Sequence, residues 1–188
     1  MKIVQLGGMI EPLILCAAMQ ANATVAVPVI DFESLAHNDD TILDHGASYI
    51  EDGYLLENLE TEPSFATYGK VASGFTGSTS LINDNPQGVT RLSAVNGSLF
   101  SIYSIDVSEL TDLNGSTDSI TFYGTNFNGG TVSQTFSIDG IFGSETFSFD
   151  SNFSDLTKVE WAQTDYFVQF DNITASPVPV PSSILLFG

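Results

Sequence analysis

Thr131-Val132-Ser133-Gln134-Thr135-Phe136-Ser137-Ile138-Asp139 is the stretch that decides the fold class. Val132, Phe136 and Ile138 fall on one parity, and Thr131, Ser133, Thr135, Ser137 and Asp139 fall on the other. Successive side chains of a strand point to opposite faces, so this period of two predicts a strand with one face in a core and one in water. The same pattern continues on both sides. Ile120 and Phe122 alternate with Ser119 and Thr121, and Phe147 and Phe149 alternate with Thr146, Ser148 and Asp150. Val159 and Trp161 share a face, and Leu99, Tyr103, Ile105 and Val107 are read as sharing the face of a further strand. Asn96-Gly97, Asn114-Gly115, Asn128-Gly129-Gly130 and Asp139-Gly140 lie between these runs and tolerate the positive φ that tight hairpin turns require.

No long segment beyond the N-terminal stretch has helical periodicity. About ten strands over roughly 150 residues predict an all-β domain, a two-sheet antiparallel β-sandwich of jelly-roll type. An immunoglobulin-like sandwich is the alternative, although its Cys…Trp…Cys framework is absent. The 14 Phe residues suit the space between two packed sheets, where each ring buries apolar area without a polar atom to satisfy.

Composition narrows the partners. Only four Lys and Arg stand against 23 Asp and Glu, a formal net charge of -19. Such a surface repels phosphate, which excludes nucleic acid and disfavours anionic lipid headgroups. The acid excess has two readings: solubility through self-repulsion, or clustered oxygen ligands for hard divalent cations. Cys16 is the single cysteine and falls in the N-terminal stretch, so the domain has no disulfide, thiolate nucleophile or Cys-ligated zinc.

The two ends read as addresses. Residues 1–23 have the layout of a secretory leader: Lys2, a mostly apolar run from Met9 to Met19 interrupted by Glu11 and Pro12, and Ala21-Asn22-Ala23 for signal peptidase. The C-terminal stretch Pro179-Val180-Pro181-Ser182-Ser183-Ile184-Leu185-Leu186-Phe187-Gly188 resembles the opening of a PEP-CTERM sorting signal, the tag recognised by exosortase-type transpeptidases of Gram-negative bacteria. Val180 stands where glutamate is commonest in that family. The apolar run after the motif is far shorter than the ~20 residues of a membrane span, and no basic cluster follows. The expected organisation is a signal peptide over 1–23, a β-sandwich domain over 27–174, and a Pro-rich linker opening a truncated sorting signal over 175–188.

A second resemblance lies at the edges of the domain. Ile30-Asp31-Phe32-Glu33-Ser34-Leu35, Glu51-Asp52-Gly53-Tyr54 and Phe170-Asp171-Asn172-Ile173 resemble the first-strand, second-strand and closing-strand regions of jelly-roll carbohydrate-binding modules. The resemblance implies a structural calcium shared by Glu33 and Asp171, with Asp31 or Asp52 assisting.

Other chemistry is thin. His37-Asn38-Asp39-Asp40-Thr41-Ile42-Leu43-Asp44-His45 holds both histidines but matches no zinc spacing, and is read as a polar loop. Asp112-Leu113-Asn114-Gly115-Ser116-Thr117-Asp118 has alternate oxygen donors, yet Tyr123 occupies the position where an EF-hand places its acid. No Gly-x-Ser-x-Gly elbow and no phosphate-cradling loop is present, and the chain is read as a non-enzyme. Sugar binding needs an exposed aromatic platform. Trp161 shares its face with Val159 and is assigned to the core, whereas Tyr123 shares a face with Ser119 and Thr121 and is the exposed candidate among the tyrosines. The expectation is an exported surface or extracellular-matrix β-sandwich with a structural or adhesive role, its partner an exosortase-type enzyme and its membrane contact transient. The alternative is a calcium-stabilised carbohydrate-binding module for extracellular polysaccharide, with an extracellular hydrolase as a third class.

Overall fold

The computed structural model describes residues 27–111, 117–165 and 167–179. The expected leader, Cys16, residues 112–116, Tyr166, and Val180 and Pro181 of the sorting motif lie outside them.

The described chain is all-β and its strand pairings are antiparallel. The strands are β1 (Val29–Ile30), β2 (Ile42–Gly46), β3 (Ser48–Glu51), β4 (Tyr54–Asn58), β5 (Phe65–Tyr68), β6 (Leu81–Asn83), β7 (Val89–Ala94), β8 (Phe100–Glu109), β9 (Asp118–Asn126), β10 (Thr131–Ile138), β11 (Glu145–Ser148), β12 (Leu156–Ala162) and β13 (Val168–Pro177). Two layers result. Sheet A runs β2-β5-β6-β13-β8-β11, with β1 also on β13, and sheet B runs β3-β4-β7-β12-β9-β10. The layers meet in backbone pairing at one point, Leu156 opposite Phe100.

Aromatic side chains fill the gap between the layers. Trp161 of β12 meets Phe170 of β13 edge-on at 5.1 Å, and Tyr54 of β4 meets Phe100 of β8 at 5.5 Å. Phe122 of β9 packs on Phe149 at 5.1 Å, and Phe136 stacks on Phe147 at 4.8 Å. Ile120, Phe122, Val159 and Trp161 are buried as their alternation requires. The β10 stretch 131–138 keeps its expected parity, with Val132 and Phe136 packed against the core and Ile138 fully buried. Gly129, at φ 81, closes the β9–β10 hairpin as its Asn-Gly-Gly turn predicts.

Three local expectations change. Ile30–Leu35 is not one strand: β1 stops at Ile30, Phe32 is left-handed at φ 54, and Glu33–Leu35 is a 3-10 turn. The Phe32 N–H is held by Glu51 Oε2 at 3.0 Å, while its ring is buried between Tyr49 and Phe170. Burying the ring outweighs the cost of the left-handed backbone, about 1–3 kcal/mol. Tyr103 does not share the face of Ile105 and Val107. It is exposed, and Phe100 and Ile102 enter the core instead, because β8 carries one extra residue where the β8–β13 register shifts between Thr174 and Ala175, which pair with Ser104 and Ile102. A bulge of this kind moves the following side chains to the opposite face. Finally, the expected linker residues Ala175, Ser176 and Pro177 belong to β13 and pair with Ile102, Ser101 and Phe100.

Candidate functional site: the outer face of sheet B

Side chains on the outer parity of sheet B form a row across six strands. Ser48 stands opposite Glu57, Glu57 opposite Arg91, Arg91 opposite Glu160, Glu160 opposite Tyr123, and Tyr123 opposite Ser133. Tyr123 points outward because its neighbour Phe122 points inward, and its ring is 54% exposed.

The charges beside it are ordered. Arg91 brings Nε and Nη2 to Glu160 Oε1, each at 2.8 Å, and its Nη1 lies 3.8 Å from Glu57. Lys158 Nζ donates to the second Glu160 oxygen at 2.9 Å. Burial works to raise the Glu160 pKa, but the hydrogen bonds from Lys158 and Arg91 outweigh it and hold the carboxyl below its ordinary value. A hydroxyl pair, Thr121 and Thr135, joined at 2.8 Å, borders the ring. The face thus offers an aromatic platform beside charged groups whose positions are set before a ligand arrives, and sugar hydroxyls pair well with such groups.

Phe127 is a further aromatic here, 70% exposed in the β9–β10 turn and of the same parity as Tyr123. Sequence reading passed over it. Its position between Asn126 and Asn128-Gly129 was the available signal, since a turn tip cannot bury a ring. The Arg91–Glu160 contact had no signal in the sequence.

A separate shallow depression of about 530 Å³ lies beside β8, lined by Ser101, Tyr103, Phe149, Asp150, Ser151 and Ser154 over a floor of Ile102 and Phe153. The other tyrosines are less available: Tyr54 is buried and its phenol pushed up to about 12 by that burial, and Tyr49 and Tyr68 are half-buried.

The expected calcium ligands are partly gathered. Glu33 Oε1 accepts from Ser78 Oγ at 3.1 Å and from the Thr79 N–H at 2.9 Å, with Lys70 Nζ at 3.7 Å from Oε2. Asp171 is buried and near the same Ser78 hydroxyl. Burial pushes it up to about 7, with Asp106 and Glu33 adding to the rise. Its oxygens already accept from the Asn172 N–H at 2.7 Å and from Asn172 Nδ2 at 3.3 Å. Asp31 is turned to the Glu33 N–H at 3.1 Å, and Asp52 sits in the β3–β4 turn at φ 48. The fold therefore brings Glu33 and Asp171 to one hydroxyl, while Asp31 serves its own turn.

The histidine segment is a loop only as far as Thr41, since Ile42–Gly46 is β2. His37 Nδ1 lies 2.9 Å from Asp39 Oδ1, and His45 Nε2 lies 2.8 Å from Thr67 Oγ1. Burial, then the neighbouring His37, lowers the His45 pKa.

No family model matches the chain, and no curated protein matches it. Solved structures with a similar course of strands do exist. An exo-β-agarase aligns at TM-score 0.44 and 14% identity over 87% of this chain, which spans only 27% of that enzyme. The CBM22-1 xylan-binding domain of Paenibacillus barcinonensis Xyn10C aligns at TM-score 0.42 and 13% identity, over 85% of this chain and 100% of that one. A family 29 carbohydrate-binding module aligns at TM-score 0.38 and 11% identity, over 79% and 98%. No helix among the described residues is long and apolar enough to cross a membrane.

Proposed function

We propose that the chain is an exported module that binds extracellular polysaccharide through the outer face of sheet B, with Tyr123 as the stacking residue. The observation that carries this reading is the row Glu57-Arg91-Glu160-Tyr123-Ser133, in which an exposed ring stands next to a fixed ionic array. Two of the three basic residues in the described chain stand on this face, Arg91 and Lys158. In so acidic a protein that concentration supports a site for a polar, hydroxyl-rich ligand. Sorting by an exosortase-type enzyme belongs to the same proposal and is supported by the Pro179-Val180-Pro181 motif and the leader-like first 23 residues. Delivery would then be to the outer surface or extracellular matrix of a Gram-negative cell.

Affinity electrophoresis of the protein against a panel of soluble polysaccharides tests the binding reading. Retardation should fall at least tenfold in Tyr123→Ala and persist in Tyr103→Ala, since a sugar ring stacks on one exposed aromatic face. Loss on Tyr103→Ala alone would move the site to the depression beside β8. Absence of retardation by every polysaccharide would leave the structural or adhesive role in its place.

A further inference from the structure

The inner end of β8 carries a carboxylate that the described chain leaves unmatched. Ile105, Val107 and Glu109 share the inward face of that strand, and Glu109 is 0% exposed. Its Oε1 accepts the Gly140 N–H at 2.7 Å, whereas the buried Oε2 has no hydrogen-bond partner. Asp139 and Glu145 stand with it: one carboxylate oxygen from each of Glu109, Asp139 and Glu145 lies within 4.8 Å of the other two. An oxygen taken out of water without a donor is costly, and two further carboxylates beside it add repulsion.

Among the described residues no basic side chain relieves this. Lys70 is on Glu33, Arg91 on Glu160 and Glu57, and Lys158 on Glu160. Burial, with Glu145 and Asp139 reinforcing it, pushes the Glu109 carboxyl above its ordinary range. The donors already present do not exhaust the group: Asp139 Oδ1 takes the Ile141 N–H at 2.8 Å and Glu145 Oε1 takes the Asp139 N–H at 3.1 Å. Each of those carboxylates keeps a second oxygen.

We propose that Glu109, Asp139 and Glu145 bind a calcium ion that fastens the β10–β11 loop to the end of β8. Three carboxylates offer up to six oxygens, the number and type calcium takes, in mono- or bidentate contacts. The set contains no imidazole or thiolate, which separates it from zinc and copper sites. The position has a mechanical sense. β10 belongs to sheet B and β11 to sheet A, so residues 139–144 carry the chain from one layer to the other. An ion there ties the two layers at the opposite end of β8 from their backbone junction at Leu156 and Phe100. The site is independent of the glycan-binding face, and its failure would leave that reading untouched.

The test uses the full chain, stripped with chelator and titrated with calcium chloride by calorimetry and thermal melting. Saturating calcium should raise the melting temperature by about 3–5 °C, as expected for an ion at roughly ten times its Kd. Glu109→Gln keeps an acceptor for Gly140 but removes the charge. It should weaken calcium at least tenfold and melt no lower than the parent in chelator. Should Glu109→Gln fail to fold, the double variant Asp139→Asn, Glu145→Gln makes the same reading from the loop side. Asp171→Asn should retain the calcium response. No response in the parent, a response that survives Glu109→Gln or the double variant, or one lost only in Asp171→Asn would overturn the proposal.

Discussion

Glu160 and Glu109 are both screened from water, yet they sit in opposite electrostatic circumstances. Glu160 has Arg91 on one oxygen and Lys158 on the other, and its pKa is lowered. Glu109 has one backbone N–H, two neighbouring acids and no cation, and its pKa is raised. In a chain with four basic residues and 23 acidic ones, most carboxylates must live without a cationic side chain. The two regions show the alternatives: spend the scarce cations on one outer face, or leave an inner cluster to a proton or a metal ion. Asp171, raised to about 7 beside Asp106 and Glu33, belongs with the second kind.

The largest break in this comparison should come from pH at Asp171. Its folded pKa of about 7 lies above the ordinary aspartate value of 3.8, so folding favours the protonated form. That contribution is fully present below about pH 4 and is lost as pH rises through about 7. Between those limits it amounts to on the order of 4 kcal/mol. Urea unfolding in chelator from pH 4.5 to 8 should show stability falling with pH. Asp171→Asn should flatten much of that fall and unfold later than the parent at pH 8; an unchanged slope would remove Asp171 from the cation-poor class.

A smaller effect is expected on the matched side. Arg91→Ala removes the cation that stands between Glu160 and Glu57, and should cost about 1–2 kcal/mol at neutral pH. The same variant at pH 3, where less of the carboxylate charge remains, should recover part of that loss. A cost that persists in full at pH 3 would mean that Arg91 acts by packing its stem rather than by charge. Lys158→Ala is the smallest, about 0.5 kcal/mol or less, because Arg91 still holds Glu160 and the pair is partly solvated. A loss as large as that of Arg91→Ala would show that the network needs both cations together.

Much of the fold was legible because strand alternation is a local property. The 131–138 stretch, the Ile120–Phe122 and Val159–Trp161 pairs and the Asn128-Gly129-Gly130 hairpin follow the sequence pattern, so Trp161 is core and Tyr123 is exposed. Asn96-Gly97 and Asp139-Gly140 instead carry the chain between layers rather than closing hairpins. Tyr103 falls on the other face because β8 bulges at it, opposite Thr174 and Ala175, and that register is set by a partner strand about 70 residues later. The first strand was overextended because Phe32 is buried by Tyr49 and Phe170, neither of them its neighbour in sequence. Glu109 did leave a trace: it falls on the same parity as Ile105 and Val107, a carboxylate on an apolar face.

The sequence by itself determined that this is a strongly acidic, all-β chain of alternating strands, because parity and turn chemistry act over two to four residues. Which acids receive a cation was decided only by tertiary structure. Arg91 reaches Glu160 across 69 residues, and Glu109 meets the Gly140 loop across 31. Charge pairing depends on distance in space, and no local pattern in a chain encodes which distant strands will lie side by side.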